Sequence, residues 1–262
     1  PIHGRWFVAP SAFGSRRLTD LFSEDNRVAE YREVETGLRL DLGYGFGHIH
    51  DEFRFGYEIK RVEADIRVGV PLIPPAQASI GSLGMVWRHN SLDEPNVPHR
   101  GYRWGIRQHH FFNRLGSSED FDRFHADAAA FFPVSPQGTA FARTEVGTHF
   151  GDTVPVLQAF QLGGPLRLGA YGLERLRGSR LLFFSGGYLR QVSQSSLMFG
   201  SRTFLAGWYE GGSTWNPGEE MRLLHVASTG IVLDSVLGPL FFGGSWGDGG
   251  RFRVYFSVGF LF

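Results

Sequence analysis

The chain contains no cysteine and a single lysine, Lys60. The absence of cysteine fits a chain that crosses an oxidising compartment without needing disulfides, as it fits many other proteins. The other basic residues are arginine, a compositional habit without functional content. No charge of either sign is in excess: 26 Lys and Arg balance 26 Asp and Glu, which argues against a nucleic-acid partner. No run of about 18–20 apolar residues exists, so no transmembrane helix is encoded. There is no Gly-x-Ser-x-Gly nucleophile elbow, no internal repeat and no linker between two domains. The chain opens at Pro1 with neither Met nor a leader, and is expected to be a segment of a longer precursor.

The missing apolar run does not exclude a membrane. A barrel strand crosses with about 9–11 residues, apolar at every second position. Phe (25) and Gly (36) are both abundant, and the aromatics fall into that rhythm. In the last twelve residues Phe252, Val254, Phe256, Val258, Phe260 and Phe262 share one strand face, and Arg253, Tyr255, Ser257, Gly259 and Leu261 the other. Leu38, Leu40, Leu42, Tyr44 and Phe46 alternate with Gly37, Arg39, Asp41, Gly43 and Gly45. Similar alternation covers 53–59, 102–107 and 124–132. It predicts an all-β, antiparallel transmembrane barrel, with residues 1–262 as one outer-membrane domain. Twelve strands are expected over 5–14, 28–46, 52–69, 79–91, 100–112, 119–133, 138–150, 180–194, 198–212, 221–235, 238–247 and 251–262. The connections alternate. Those at 46–51, 92–99, 134–137, 195–197 and 236–238 are compact; those at 15–27, 70–78, 113–118, 151–179, 213–220 and 248–250 are longer or rich in Gly, Pro and Ser. Tight periplasmic turns and longer external loops are expected of such barrels. The connection at 151–179 is long enough to suggest a function of its own.

Candidate chemistry is sparse. His48, His50 and Asp51 have the spacing of a small metal cluster, but they sit in an expected turn and read as solvated residues. His109 and His110 are adjacent and face opposite sides of a strand. Ser185 lies in a strand, and no serine arrangement singles out His149 or His225 for a surface Ser–His pair. No catalytic residue, metal site or cofactor is expected. Arg39, Asp41, Arg54, Glu58, Arg103, Arg107, His125, Asp127, Arg143, Glu145 and Arg253 are expected to point inward, both signs mixed, as packing in a polar interior.

Four segments resemble the bacterial surface antigen superfamily, which includes outer-membrane assembly barrels and two-partner secretion transporters. Phe160-Gln161-Leu162-Gly163-Gly164 followed by Leu168-Gly169-Ala170-Tyr171 resembles the family's sixth extracellular loop, Phe-x-x-Gly-Gly and then Val-Arg-Gly-Phe/Tyr. Leu92-Asp93-Glu94-Pro95-Asn96-Val97-Pro98-His99-Arg100-Gly101 resembles its Leu-Asp-Asn-Pro-x-x-Pro-x-x-Gly turn. Tyr209-Glu210-Gly211-Gly212-Ser213-Thr214-Trp215 resembles its acidic-x-Gly-x-x-Trp segment. Leu237-Gly238-Pro239-Leu240 resembles the turn before its last two strands. The C-terminal strand, with Phe256, Val258, Phe260 and Phe262, resembles the terminal signal of outer-membrane barrels.

The opening Pro1–Ser11 further resembles the barrels of patatin-like phospholipase autotransporters. That resemblance implies a sixteen-stranded barrel of which this chain supplies strands five to sixteen, preceded by a phospholipase and one POTRA domain. It implies membrane anchoring and export of that phospholipase, or else an assembly and translocation role or a passive pore. The implied partners are outer-membrane lipid, the barrel-assembly machinery, the chain's own N-terminal domains and a second copy as a homodimer. In the family, a loop arginine pairs with the acidic residue, here Glu210. This chain has Gly169 where that arginine stands, so Arg167 is expected to reach Glu210 instead.

Overall fold

The computed structural model describes residues 5–23, 26–46, 51–69, 76–151, 158–194, 202–235 and 238–259. Its strands are β1 (Trp6–Ser23), β2 (Asn26–Gly45), β3 (Asp51–Gly69), β4 (Ala76–Asn90), β5 (Gly101–Phe111), β6 (Phe121–Ser135), β7 (Gly138–Phe150), β8 (Phe160–Leu162), β9 (Leu176–Gly178), β10 (Arg180–Gln194), β11 (Arg202–Trp215), β12 (Leu224–Ser235), β13 (Gly238–Gly247) and β14 (Arg251–Val258). Twelve of them form one sheet in chain order, with the short β8 and β9 pairing separately. Every pair of known register is antiparallel. The sheet thus has the twelve strands that alternation predicts. His48, His50, Phe260 and Phe262 lie outside the described residues.

Residues 15–23 of the connection expected at 15–27 are strand. β1 continues to Ser23 and pairs residue by residue with β2, with Ser15 opposite Glu35 and Arg17 opposite Glu33. The reason lies in where the side chains stand. Around the turn end of β1–β3, the outward positions Trp6, Val8, Leu38, Leu40, Leu42 and Phe55 are large, apolar and exposed. That is the face that meets hydrocarbon. Farther along, the outward positions become charged, with Arg32 bonded to Asp65 at 3.1 Å and Arg67 to Glu30 at 3.3 Å. Apolar alternation stops there, but backbone pairing needs no apolar side chain and goes on. Likewise, Ser213–Trp215 extend β11 into an expected loop.

The chain divides into two compact units. The first comprises Pro1–Arg88, Ile106–His125 and Thr148–Gln158. On its inner face Arg39 donates to Asp41 at 2.9 Å, and Lys60 pairs with Glu35 at 3.3 Å. Val62, Ile80, Phe111 and Phe121 form a small core, with the two rings stacked 4.2 Å apart. The second comprises His89–Gly105, Ala126–Gly147 and Ala159–Phe262. Its inner face is more apolar: Phe131, Phe141, Leu189, Phe204, Trp208, Val232 and Phe241 cluster there, with Leu166 and Val97 from connections among them.

Alternation makes a direct prediction about the outer face. Leu40→Arg, in the apolar band, should lower unfolding stability by about 2–4 kcal/mol, whereas Val68→Arg, beyond the band, should cost about 0–1 kcal/mol. Urea titration of the folded protein in lipid vesicles measures both. Equal costs would overturn the assignment of the band.

Candidate functional site

Residues 160–178, between β7 and β10, do not extend away from the sheet. β8 and β9 pair as a short hairpin, Phe160 opposite Gly178 and Leu162 opposite Leu176, and the residues between them pack on the inner face of the second unit. Phe160, Leu162, Leu168, Ala170 and Tyr171 join Leu181, Phe183 and Val226 in one buried cluster. Inward-facing wall residues thus form a floor, and the hairpin's own apolar side chains occupy it.

Glycines set the path into and out of this cluster. Gly163 and Gly164 have φ of 124° and 110°, in the region that favours glycine. Between them and β9 the turn closes on itself: Gly164 N–H donates to the Tyr171 carbonyl at 3.2 Å and Tyr171 N–H to the Leu168 carbonyl at 2.9 Å. Leu166, Leu168 and Glu174 are also left-handed, with φ of 61°, 63° and 51°. Each such residue costs about 1–2 kcal/mol. Burying a leucine side chain contributes about 1.5–3 kcal/mol, so the buried Leu166 and Leu168 offset their own backbone cost.

At the centre stands Glu210, fully buried on β11. Its Oε2 accepts the backbone N–H of Gly169 at 2.9 Å and the Ser228 hydroxyl at 3.5 Å. Ser228 and Ser245 hydroxyls lie 2.6 Å apart, and Ser245 lies 2.9 Å from the Tyr255 hydroxyl. This places a polar chain from β11 through β12 and β13 to β14 beneath the loop. A buried carboxylate needs such donors because it has left water. The Arg143 guanidinium is also near enough to act on Glu210 electrostatically.

The expected Arg167–Glu210 pair is therefore corrected. Arg167 donates to Glu145 Oε2 at 2.8 Å and to the Gln161 carbonyl at 3.3 Å. The loop donor that reaches Glu210 is the main-chain N–H of Gly169, the position where the resemblance puts an arginine. The fit is close: a Cβ there would come within 2.3 Å of Ser245 Oγ and 2.7 Å of the Tyr255 hydroxyl. With no side chain, the loop backbone settles directly on the polar chain. Arg167 is left beside β7, where Glu145 takes it. Arg143 on the same strand donates to the Leu166 carbonyl at 3.3 Å.

Gly163, Gly164, Leu168, Gly169, Ala170, Tyr171 and Glu210 are thus brought together. Sequence reasoning missed Ser228, Ser245 and Tyr255 as members. Their signal is parity, since each falls on the inward face of a strand near Glu210. Arg143 and Glu145 were expected inside, but not as holders of the loop. Phe256 and Val258 lie elsewhere, exposed on the outer side of β14. His109 rests against Gly84, whereas His110 bonds Asp122 at 2.5 Å. His225 bonds the Tyr209 hydroxyl at 2.5 Å. Ser185 is buried within β10. None of these makes a nucleophile–base pair in the described residues.

Gly169→Ala should unseat the loop. Overpacking of this kind costs about 1–3 kcal/mol, and trypsin should then cut after Arg167 or Arg175 faster than in the parent. Unchanged cleavage would show that the contact with Glu210 does not hold the loop.

Residues 6–262 match the Omp85 superfamily domain. No curated protein matches the chain. Among solved structures, it is similar to BamA from Haemophilus ducreyi lacking POTRA domains 1–3, with TM-score 0.73 and 13% identity over 96% of this chain and 61% of that one. It is also similar to CdiB from Escherichia coli, with TM-score 0.69 and 13% identity over 98% and 50%. CdiB from Acinetobacter baumannii follows, with TM-score 0.63 and 12% identity over 97% and 47%. The chain therefore spans about half to three-fifths of these structures' length. A twelve-stranded antiparallel sheet with an apolar outer face and a loop folded onto its inner face agrees with that match, and the chain belongs to the Omp85 superfamily of bacterial outer-membrane β-barrel proteins.

Proposed function

We propose that this chain is the barrel through which a longer protein anchors, and exports or displays, an N-terminal patatin-like phospholipase at the bacterial outer membrane. The observation that carries a transport role over a passive pore is the 160–178 hairpin seated on the inner face, with Gly169 N–H on Glu210. An open pore has no use for a loop that buries leucines in left-handed backbone. The resemblance of Pro1–Ser11 to a segment of patatin-like autotransporter barrels supports the choice of passenger, although Pro1–Gly4 lie outside the described residues. On this reading residues 1–262 are one barrel domain, completed to sixteen strands by four upstream strands, and the catalytic residues lie in the N-terminal domain. The outer face meets lipid, the strand with Phe256, Val258, Phe260 and Phe262 is handed to the barrel-assembly machinery, and a homodimer is a further partner.

A second reading, an assembly or translocation factor for other outer-membrane proteins, is favoured by the likeness to BamA over 96% of the chain.

Intact cells expressing the full-length protein should hydrolyse an externally added phospholipid, and removal of the barrel should abolish that surface activity. Absence of phospholipase activity from every cell fraction would sink the first reading, and a fall in other outer-membrane barrels on depletion would favour the second. Removing residues 160–175 should also raise channel conductance in planar bilayers. Unchanged conductance would mean that the hairpin is not a plug.

A further inference from the structure

The connection between β4 and β5 is much more than a turn. Its base is pinned: Ser91 N–H donates to the Tyr102 carbonyl at 2.9 Å, and Asp93 Oδ1 accepts the N–H groups of His99 and Arg100 at 3.0 and 3.1 Å. From that base the tip reaches strands far along the sheet. Arg202, at the start of β11, donates through both terminal nitrogens to Glu94, and its Nε and a terminal nitrogen reach Asp234 Oδ2 of β12 at 3.2 and 2.7 Å. Asn96 donates to Asp234 Oδ1 at 3.2 Å, and His99 Nδ1 lies 2.6 Å from the Thr139 hydroxyl of β7.

In sheet order β6, β7 and β10 stand between β5 and β11. At about 4.8 Å per strand, β5 and β11 are about 19 Å apart along the sheet. A ten-residue segment returning to its own base meets both ends of that arc only by crossing the inner face. Val97 confirms the path: it is 2% exposed and belongs to the cluster of Phe204, Trp208, Val232 and Phe241. Leu166, near the tip of the loop that enters from the opposite end of the strands, belongs to the same cluster.

We propose that Ser91–Arg100 is a latch across the turn end of the second unit's inner face, locked by Arg202 between Glu94 and Asp234, and that this face is uncovered only when the latch lets go. Arg202 is the key, because it neutralises two carboxylates that would otherwise repel each other. Its removal leaves Glu94 and Asp234 facing one another with no cation between. The latch also supports the 160–178 hairpin through the shared Val97–Leu166 cluster, so its release loosens the seat of that loop. The inference stands on the interior contacts alone and is independent of what is exported.

The test uses the full chain. Val97→Cys introduces a thiol into a segment that has none. A water-soluble maleimide should label it slowly in the folded protein, and at least about tenfold faster when Arg202→Gln is added, since labelling follows the open population. Heat-modifiable gel mobility reports that each variant remains folded. Should the double variant fail to fold, Glu94→Gln replaces Arg202→Gln, and Asn96→Cys replaces Val97→Cys. In planar bilayers Arg202→Gln should also raise conductance above the parent. Rapid labelling in the parent, or labelling and conductance both unmoved by Arg202→Gln, would overturn the latch.

Discussion

A strand in hydrocarbon has no water to satisfy its N–H and C=O groups, so each must find a neighbouring strand. That constraint shapes this chain from end to end. It requires uninterrupted lateral pairing, and the registers of β1–β3 and of β10–β14 are accordingly almost continuous. Paired strands leave side chains only two directions. One direction faces lipid and is apolar by necessity. The other is free to be whatever the interior requires, and the functional design is confined to it.

What the interior requires differs between the two units. In the first, charged side chains satisfy one another along and across strands, as Arg39 does with Asp41 on β2 and Lys60 of β3 with Glu35 of β2. In the second, segments of the chain itself enter and cover an apolar wall. The hairpin between β7 and β10 is held at three kinds of point: an uncharged amide on Glu210, a wall arginine on the Leu166 carbonyl, and an ion pair between Arg167 and Glu145. The charges are partitioned among separate wall residues. Buried ionic groups stabilise little by themselves and chiefly penalise loss of a partner. They therefore select one seated position for the loop more than they tighten it.

The wall was legible in the sequence because its rule has period two. Leu38, Leu40 and Leu42, or Phe252, Val254 and Phe256, announce a strand and its lipid face without any structure. The same rule goes silent at Ser15-Arg16-Arg17, where both faces meet water or charge, and alternation alone ends β1 too early. The site was legible only in part. Resemblance drew attention to Gly163, Gly164 and Glu210, but it cast Arg167 as the partner of Glu210. Side-chain reasoning cannot see a backbone donor: the amide of Gly169 is present at every residue, and what distinguishes it is the space left by a missing Cβ. Ser228, Ser245 and Tyr255 come from three different strands, and only the register that aligns those strands makes them neighbours. The inward course of Ser91–Arg100 was hidden for the same reason, since Glu94 and Arg202 are 108 positions apart.

The length of the first three strands carries a consequence beyond the bilayer. β2 has 20 residues, about twice the number that spans a bilayer. Its surplus, with those of β1 and β3, forms an ion-paired ribbon that continues past the apolar band. Such a ribbon presents charge to water from paired strands alone, with no folded domain needed to build it.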